Sequence, residues 1–162
     1  MSCLACDLAE GRSPLPGGLI DETGGWRVEH TVGPLGVGTL IVKPKRHVIH
    51  VADLRQEEAS ELGPLIQRVA ALVTRLVSPE QVYVTLWSHA DAMAGHIHWV
   101  VQPVTRAQMD EFDDYGPWLQ VKMFERGEPL DLAAVESFAA AAREDLRTAL
   151  DPSVGGPWAD GA

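Results

Sequence analysis

Cysteine is scarce: Cys3 and Cys6 are the two among 162 residues. That excludes a scaffold stapled by several disulfides, so a hydrophobic core must hold the chain. Basic side chains are outnumbered, 13 Lys and Arg against 23 Asp and Glu, giving a formal charge of −10. Such a field repels phosphates globally and argues against a nucleic-acid partner, while a local pocket for one small anion stays compatible. No apolar run reaches the roughly 18 residues of a membrane span. The opening "MSCLACDLAEGRSP" lacks both the basic flank and the long apolar stretch of a secretory signal. A cytoplasmic protein without a membrane partner is therefore expected. Repeats and low-complexity linkers are lacking too, so one domain over residues 1–150 is expected, followed by a frayed tail over 151–162.

What is present builds a core, since 46% of residues are hydrophobic. "WRVEH" (26–30), "TLIVK" (39–43), "QVYVTLWS" (81–88) and "HIHWVVQPV" (96–104) read as strands, rich in β-branched and aromatic residues. The last two are predicted to pair antiparallel. Leu62, Leu65, Ile66, Val69, Leu72, Val73 and Leu76 recur every three or four residues, predicting an amphipathic helix over 57–77. Asp53 and Gln56 suit its capping box, and Pro64 falls near its first turns. "AQMDEFDDYGPW" reads as a short helix and a turn, with its acidic run 110–114 in solvent. Leu132, Val135, Phe138, Ala142, Leu146 and Leu150 mark a helix over 131–150. Residues 11–25, dense in Gly and Pro, read as loop. The fold class is α+β, an antiparallel sheet with a long helix packed on it and a C-terminal helix.

The cysteines and histidines all lie within residues 3–98. "CLAC" is a C-x-x-C, compatible with a metal knuckle, a redox pair or a plain loop. The six histidines are His30, His47, His50, His89, His96 and His98. Two imidazoles added to two thiolates would close a tetrahedral site, although the spacing is not that of a zinc finger. His96 and His98 stand two apart in a strand and so share a face.

Three segments in register resemble the histidine-triad (HIT) proteins. "GTLIVKPKRHVIHVADL" (38–54) resembles their G-H-x-L-V-x-P-K-x-H segment, and "HIHWVVQP" (96–103) resembles the triad signature H-φ-H-φ-H-φ-φ. "CLAC" resembles the C-x-F-C start of the zinc-binding branch. The resemblance implies a structural zinc on Cys3, Cys6, His47 and His96, and a nucleophile at His98 that forms a nucleotidyl-histidine. It further implies a nucleotide or other phosphorylated small molecule as substrate, and a homodimer. The chain also departs from the pattern. The third triad position is Val100, Gly-Thr stands at 38–39 where Gly-His is usual, and Ala92–Met93 replace Gln-Ser. Thr85 or Leu86 falls at the upstream Asn, His30 or Thr31 at the ribose-gripping acid, and Val104 at an Arg. Ser88, His89 and Gln102 are the expected replacements at the substrate. Two functions follow: a nucleotide hydrolase or nucleotidyl transferase with an altered pocket, or a HIT-fold zinc protein that has lost hydrolysis or been repurposed.

Overall fold

Alternation along each strand gives the sheet two unlike faces, and both are covered. The computed structural model describes residues 3–88 and 95–149. Its strands are β1 (Leu19–Glu22), β2 (Trp26–His30), β3 (Leu40–Pro44), β4 (Gln81–Trp87) and β5 (His98–Val104). The helices are α1 (Leu4–Ala9), α2 (Gln56–Val77), α3 (Arg106–Phe112), α4 (Gly116–Arg126) and α5 (Leu132–Ala149). One antiparallel sheet has the order β1-β2-β3-β5-β4. The expected pairing of 81–88 with 96–104 is present, Trp87 lying opposite His98 and Gln81 opposite Val104.

On one face Trp26, Val28, Leu40, Val42 and Val101 pack against Leu65, Val69, Leu72 and Val73 of α2 and Ala139, Ala142 and Leu146 of α5. Truncating a fully buried member such as Leu72 to Ala costs about 2–5 kcal/mol. On the other face Ile41, Tyr83, Trp87, Val100 and Val104 meet Leu35 and, from α4, Leu119 and Met123. Functional side chains of β2, β3 and β5 project on this second face.

Three sequence expectations are corrected. The cap of α2 is set two residues later than expected: Asp53 lies in a 3-10 turn over Val51–Asp53, and Arg55 is the N-cap. The Glu58 carboxylate there accepts from Arg55 N at 2.8 Å and also pairs with Arg46. The segment read as loop over 11–25 contains β1, too short for alternation to register. The turn expected near 115–118 instead opens α4, with Pro117 in its first turn, where a missing N–H costs nothing. Gly38 adopts φ +92 just before β3, with Pro103 and Val77 so close that a Cβ would crowd both. Among the described residues no helix is long and apolar enough to cross a membrane. The tail expected over 151–162 lies outside them.

Candidate metal centre and adjoining pocket

The knuckle stands on α1, a six-residue helix with Cys3 as its N-cap. So short a helix needs tertiary support. Arg27 and Lys43, opposite one another on β2 and β3, provide it. Arg27 Nη1 donates to Ala9 O at 3.1 Å and Lys43 Nζ to Ala5 O at 2.8 Å. Both cations thus tie main-chain carbonyls of the helix to the sheet, and Arg27 does so at its last residue, Ala9, where the backbone dipole favours positive charge.

This docking brings Cys3 and Cys6 to His47, just beyond β3, and to His96, just before β5. The four donor atoms lie within 4.8 Å of one another. Cys3 Sγ and Cys6 Sγ are each 3.6 Å from His96 Nδ1, and Cys6 Sγ is 3.5 Å from His47 Nδ1. An ion about 2.3 Å from sulfur and about 2.0 Å from nitrogen in a tetrahedron sets S and N about 3.5 Å apart. The spacing and the donor set therefore fit zinc. His96 Nε2 donates to Pro44 O at 3.1 Å, which fixes the tautomer and leaves Nδ1 to ligate. Burial, with His47, Lys43 and His98 nearby, depresses the His96 pKa to about 4, so the ring is neutral as a ligand must be. The Cys6 thiol is pushed up by burial and by Cys3, and a bound cation would draw the thiolate form back.

Beside this cluster opens a pocket of about 480 Å³. Its walls are largely apolar and include Leu35, Ile41, Val100, Trp87 and Phe124, the last two rings meeting edge-on at 5.4 Å. His98 lines it, with Nδ1–H donating to His96 O at 3.0 Å. That bond puts the imidazole lone pair on Nε2. Deeper in the lining lie Glu29 and Lys43, an ion pair with side chains 3% and 1% exposed. Burial raises the Glu29 carboxyl pKa, and Lys43 pulls it back down.

The other expected site residues fall elsewhere. Ser88 is exposed just past β4, and His89 lies outside the described residues. Gln102 does not line the pocket. It is fully buried, its Nε2 donating to Leu35 O at 3.1 Å and its Oε1 accepting from Gln120 at 2.9 Å, which ties β5 to α4. His50 is exposed, and Trp99 packs edge-on against Trp26 in the α2 core. His30 is buried and neutral, bonded through Nδ1 to Thr31 O and through Nε2 to Gly38 N–H. Sequence reasoning missed Glu29 and Lys43. Lys43 carried a usable signal as a charge inside the apolar strand "TLIVK", whereas Glu29, between Val28 and His30 in the mixed strand "WRVEH", carried none.

Comparison with known proteins shows the fold. No family model matches the chain, and no curated protein matches it. Solved structures do. A zinc-bound histidine triad family protein from Mycobacterium smegmatis is 21% identical, with 91% of this chain and 94% of that one covered at a TM-score of 0.63. A Hit-like protein involved in cell-cycle regulation from Bartonella henselae, solved with an unknown ligand, is 15% identical, covering 87% and 93% at 0.66. A hypothetical histidine triad nucleotide-binding protein from Sulfolobus tokodaii is 18% identical, covering 90% and 92% at 0.64. The chain has the histidine-triad fold.

Proposed function

We propose that this protein is a nucleotide hydrolase or nucleotidyl transferase of the histidine-triad type, with His98 as the nucleophile. The observation that carries the reading is the tautomer of His98, set by its bond to His96 O, in a pocket large enough for a nucleotide. Nε2 attacks the α-phosphorus, and the P–O bond to the leaving group breaks with its electron pair. The leaving group takes up a proton, and the nucleotidyl group is held on His98. Water or another acceptor then attacks the same phosphorus, loses its proton, and the P–N bond breaks to return the lone pair to Nε2. Zinc on Cys3, Cys6, His47 and His96 is a structural tie, since four protein ligands leave no open position. Ser88 and His89, at the start of the β4–β5 connection, are the proposed phosphate-side contacts. Gln102 supports the strand instead. The partners are one phosphorylated small molecule and a second copy of the chain, and the setting is cytoplasmic.

One observation favours a second reading, in which the fold binds a ligand without cleaving it. Val100 presents an apolar side chain where the third triad residue stands, and a developing phosphorane needs hydrogen-bond donors or positive charge. The test is incubation with dinucleoside polyphosphates, nucleoside phosphoramidates and nucleotide sugars, followed by acid-free denaturation and intact mass measurement. A nucleotidyl adduct on His98, and loss of adduct and turnover in His98→Ala at unchanged melting temperature and zinc content, supports the enzyme. Turnover that survives His98→Ala removes His98 as nucleophile. Binding with neither adduct nor turnover across the panel leaves the second reading.

A further inference from the structure

Burying a charge pair in a pocket lining is expensive unless each polar atom is met. Lys43 is accounted for, since its ammonium holds Ala5 O on α1 and Glu29 Oε1 on β2. Glu29 is only half accounted for. Its residue is 2% exposed, and its second oxygen, Oε2, is buried without a hydrogen-bond partner among the described residues. Neutralising Lys43 requires just one oxygen. The other belongs to a side chain that lines the same pocket as His98.

We infer that Glu29 is a specificity-determining contact, whose Oε2 accepts a hydrogen bond from a neutral N–H or O–H donor of the ligand. The inference rests on the proposal that this pocket holds a nucleotide, and names the feature of that nucleotide it selects. The donor is neutral because a ligand cation at Oε2 would stand beside the Lys43 ammonium in a site of low polarity. It is a donor because a carboxylate paired with lysine presents acceptors alone. The flanking Leu35, Ile41, Trp87 and Phe124 suit a planar or weakly polar group around that donor. A nucleotide has two sources of such donors, the ring or exocyclic N–H of its base and the hydroxyls of its sugar. A ligand that turns an acceptor toward Glu29 is rejected, since two acceptors then face each other without water.

The experiment titrates the protein as purified with guanosine 5′-monophosphate and adenosine 5′-monophosphate, read by calorimetry. Each is compared with its base-N-methylated analogue, lacking N–H donors, and with its 2′,3′-dideoxy analogue, lacking hydroxyls. Removal of the responsible donor should weaken binding about tenfold or more, as for a hydrogen bond to a charged group. Sensitivity to methylation identifies the base as source, and sensitivity to the dideoxy change identifies the sugar. The double variant Glu29→Gln/Lys43→Met removes both charges together and leaves no lone ion buried. There the tenfold difference should disappear, whereas a penalty from methyl bulk alone would persist, and its persistence overturns the inference. Equal binding of all analogues to the wild type also overturns it, a comparison that stands even where the variant does not fold. If neither mononucleotide binds the wild type, the nucleotide proposal itself fails and takes this one with it.

Discussion

His98 and Val100 sit two apart on one face of β5, and that pair defines the residue-scale question. Val100→His adds a donor on the same pocket wall. It should raise turnover of a cleavable nucleotide, read as initial rate, if the phosphate lies along β5. Because Val100 is 1% exposed and packs with Leu35 and Leu119, the larger ring should also lower stability by about 1–3 kcal/mol, measured by denaturant titration. No rate gain in a folded, zinc-loaded variant would place the phosphate elsewhere. A second prediction concerns acid. Burial depresses the His96 pKa from 6.5 to about 4, and His30 is lowered by burial as well. The unfolded chain therefore takes up protons first as pH falls. Stability from the neutral His96 is full above about 6.5 and lost progressively toward about 4, and the lowered His30 adds to the loss in the same direction. The melting temperature of chelator-treated protein should fall across that window, and His30→Phe should flatten part of the fall.

At the scale of elements, α1 joins the metal cluster to the sheet. Cys6→Ser should abolish stoichiometric metal by elemental analysis and reduce thermal stability, because binding energy at such a site is also folding energy. Chelation of the wild type should do the same and should raise amide exchange over residues 4–9, while β3 and β5 stay protected. Retained zinc in Cys6→Ser would exclude the four-residue site. The helix also marks where sequence reading stops. α2 was legible because seven apolar residues repeat over about four turns, and β4 and β5 because their alternation is long. Six residues of α1 and four of β1 span too few periods to register. α4 was hidden by Gly116 and Pro117, which look like a turn and in fact start a helix whose Leu119 and Met123 are buried four apart. In the site, the set Cys3, Cys6, His47 and His96 was legible through the resemblance, while the residues by themselves left metal, redox and loop readings open. Glu29 with Lys43 was not, since pairing across strands exists only once register is known.

For the whole molecule, the exposed edge of the sheet bears on assembly. β4 is an edge strand, and Val84 and Leu86 on it are 41% and 43% exposed, with Leu76 of nearby α2 at 36%. Their strand parity is that of Val82, which packs into the α2 core. An apolar edge of this kind is suited to continuing the sheet into a second copy. The proposed homodimer should therefore appear in light scattering at micromolar concentration and give way to monomer in Leu86→Lys, with the melting temperature becoming independent of protein concentration. A wild type that stays monomeric at hundreds of micromolar would end the dimer proposal.

The two key imidazoles are oriented by main-chain oxygens: His96 by Pro44 O and His98 by His96 O. A carbonyl survives any substitution of its own side chain. The direction in which the proposed nucleophile His98 points is thus set by the strand path, while Glu29, Val100, Trp87 and Phe124 around it are open to replacement. Substitutions in the pocket walls can therefore alter which ligand fits without re-aiming the ring of His98.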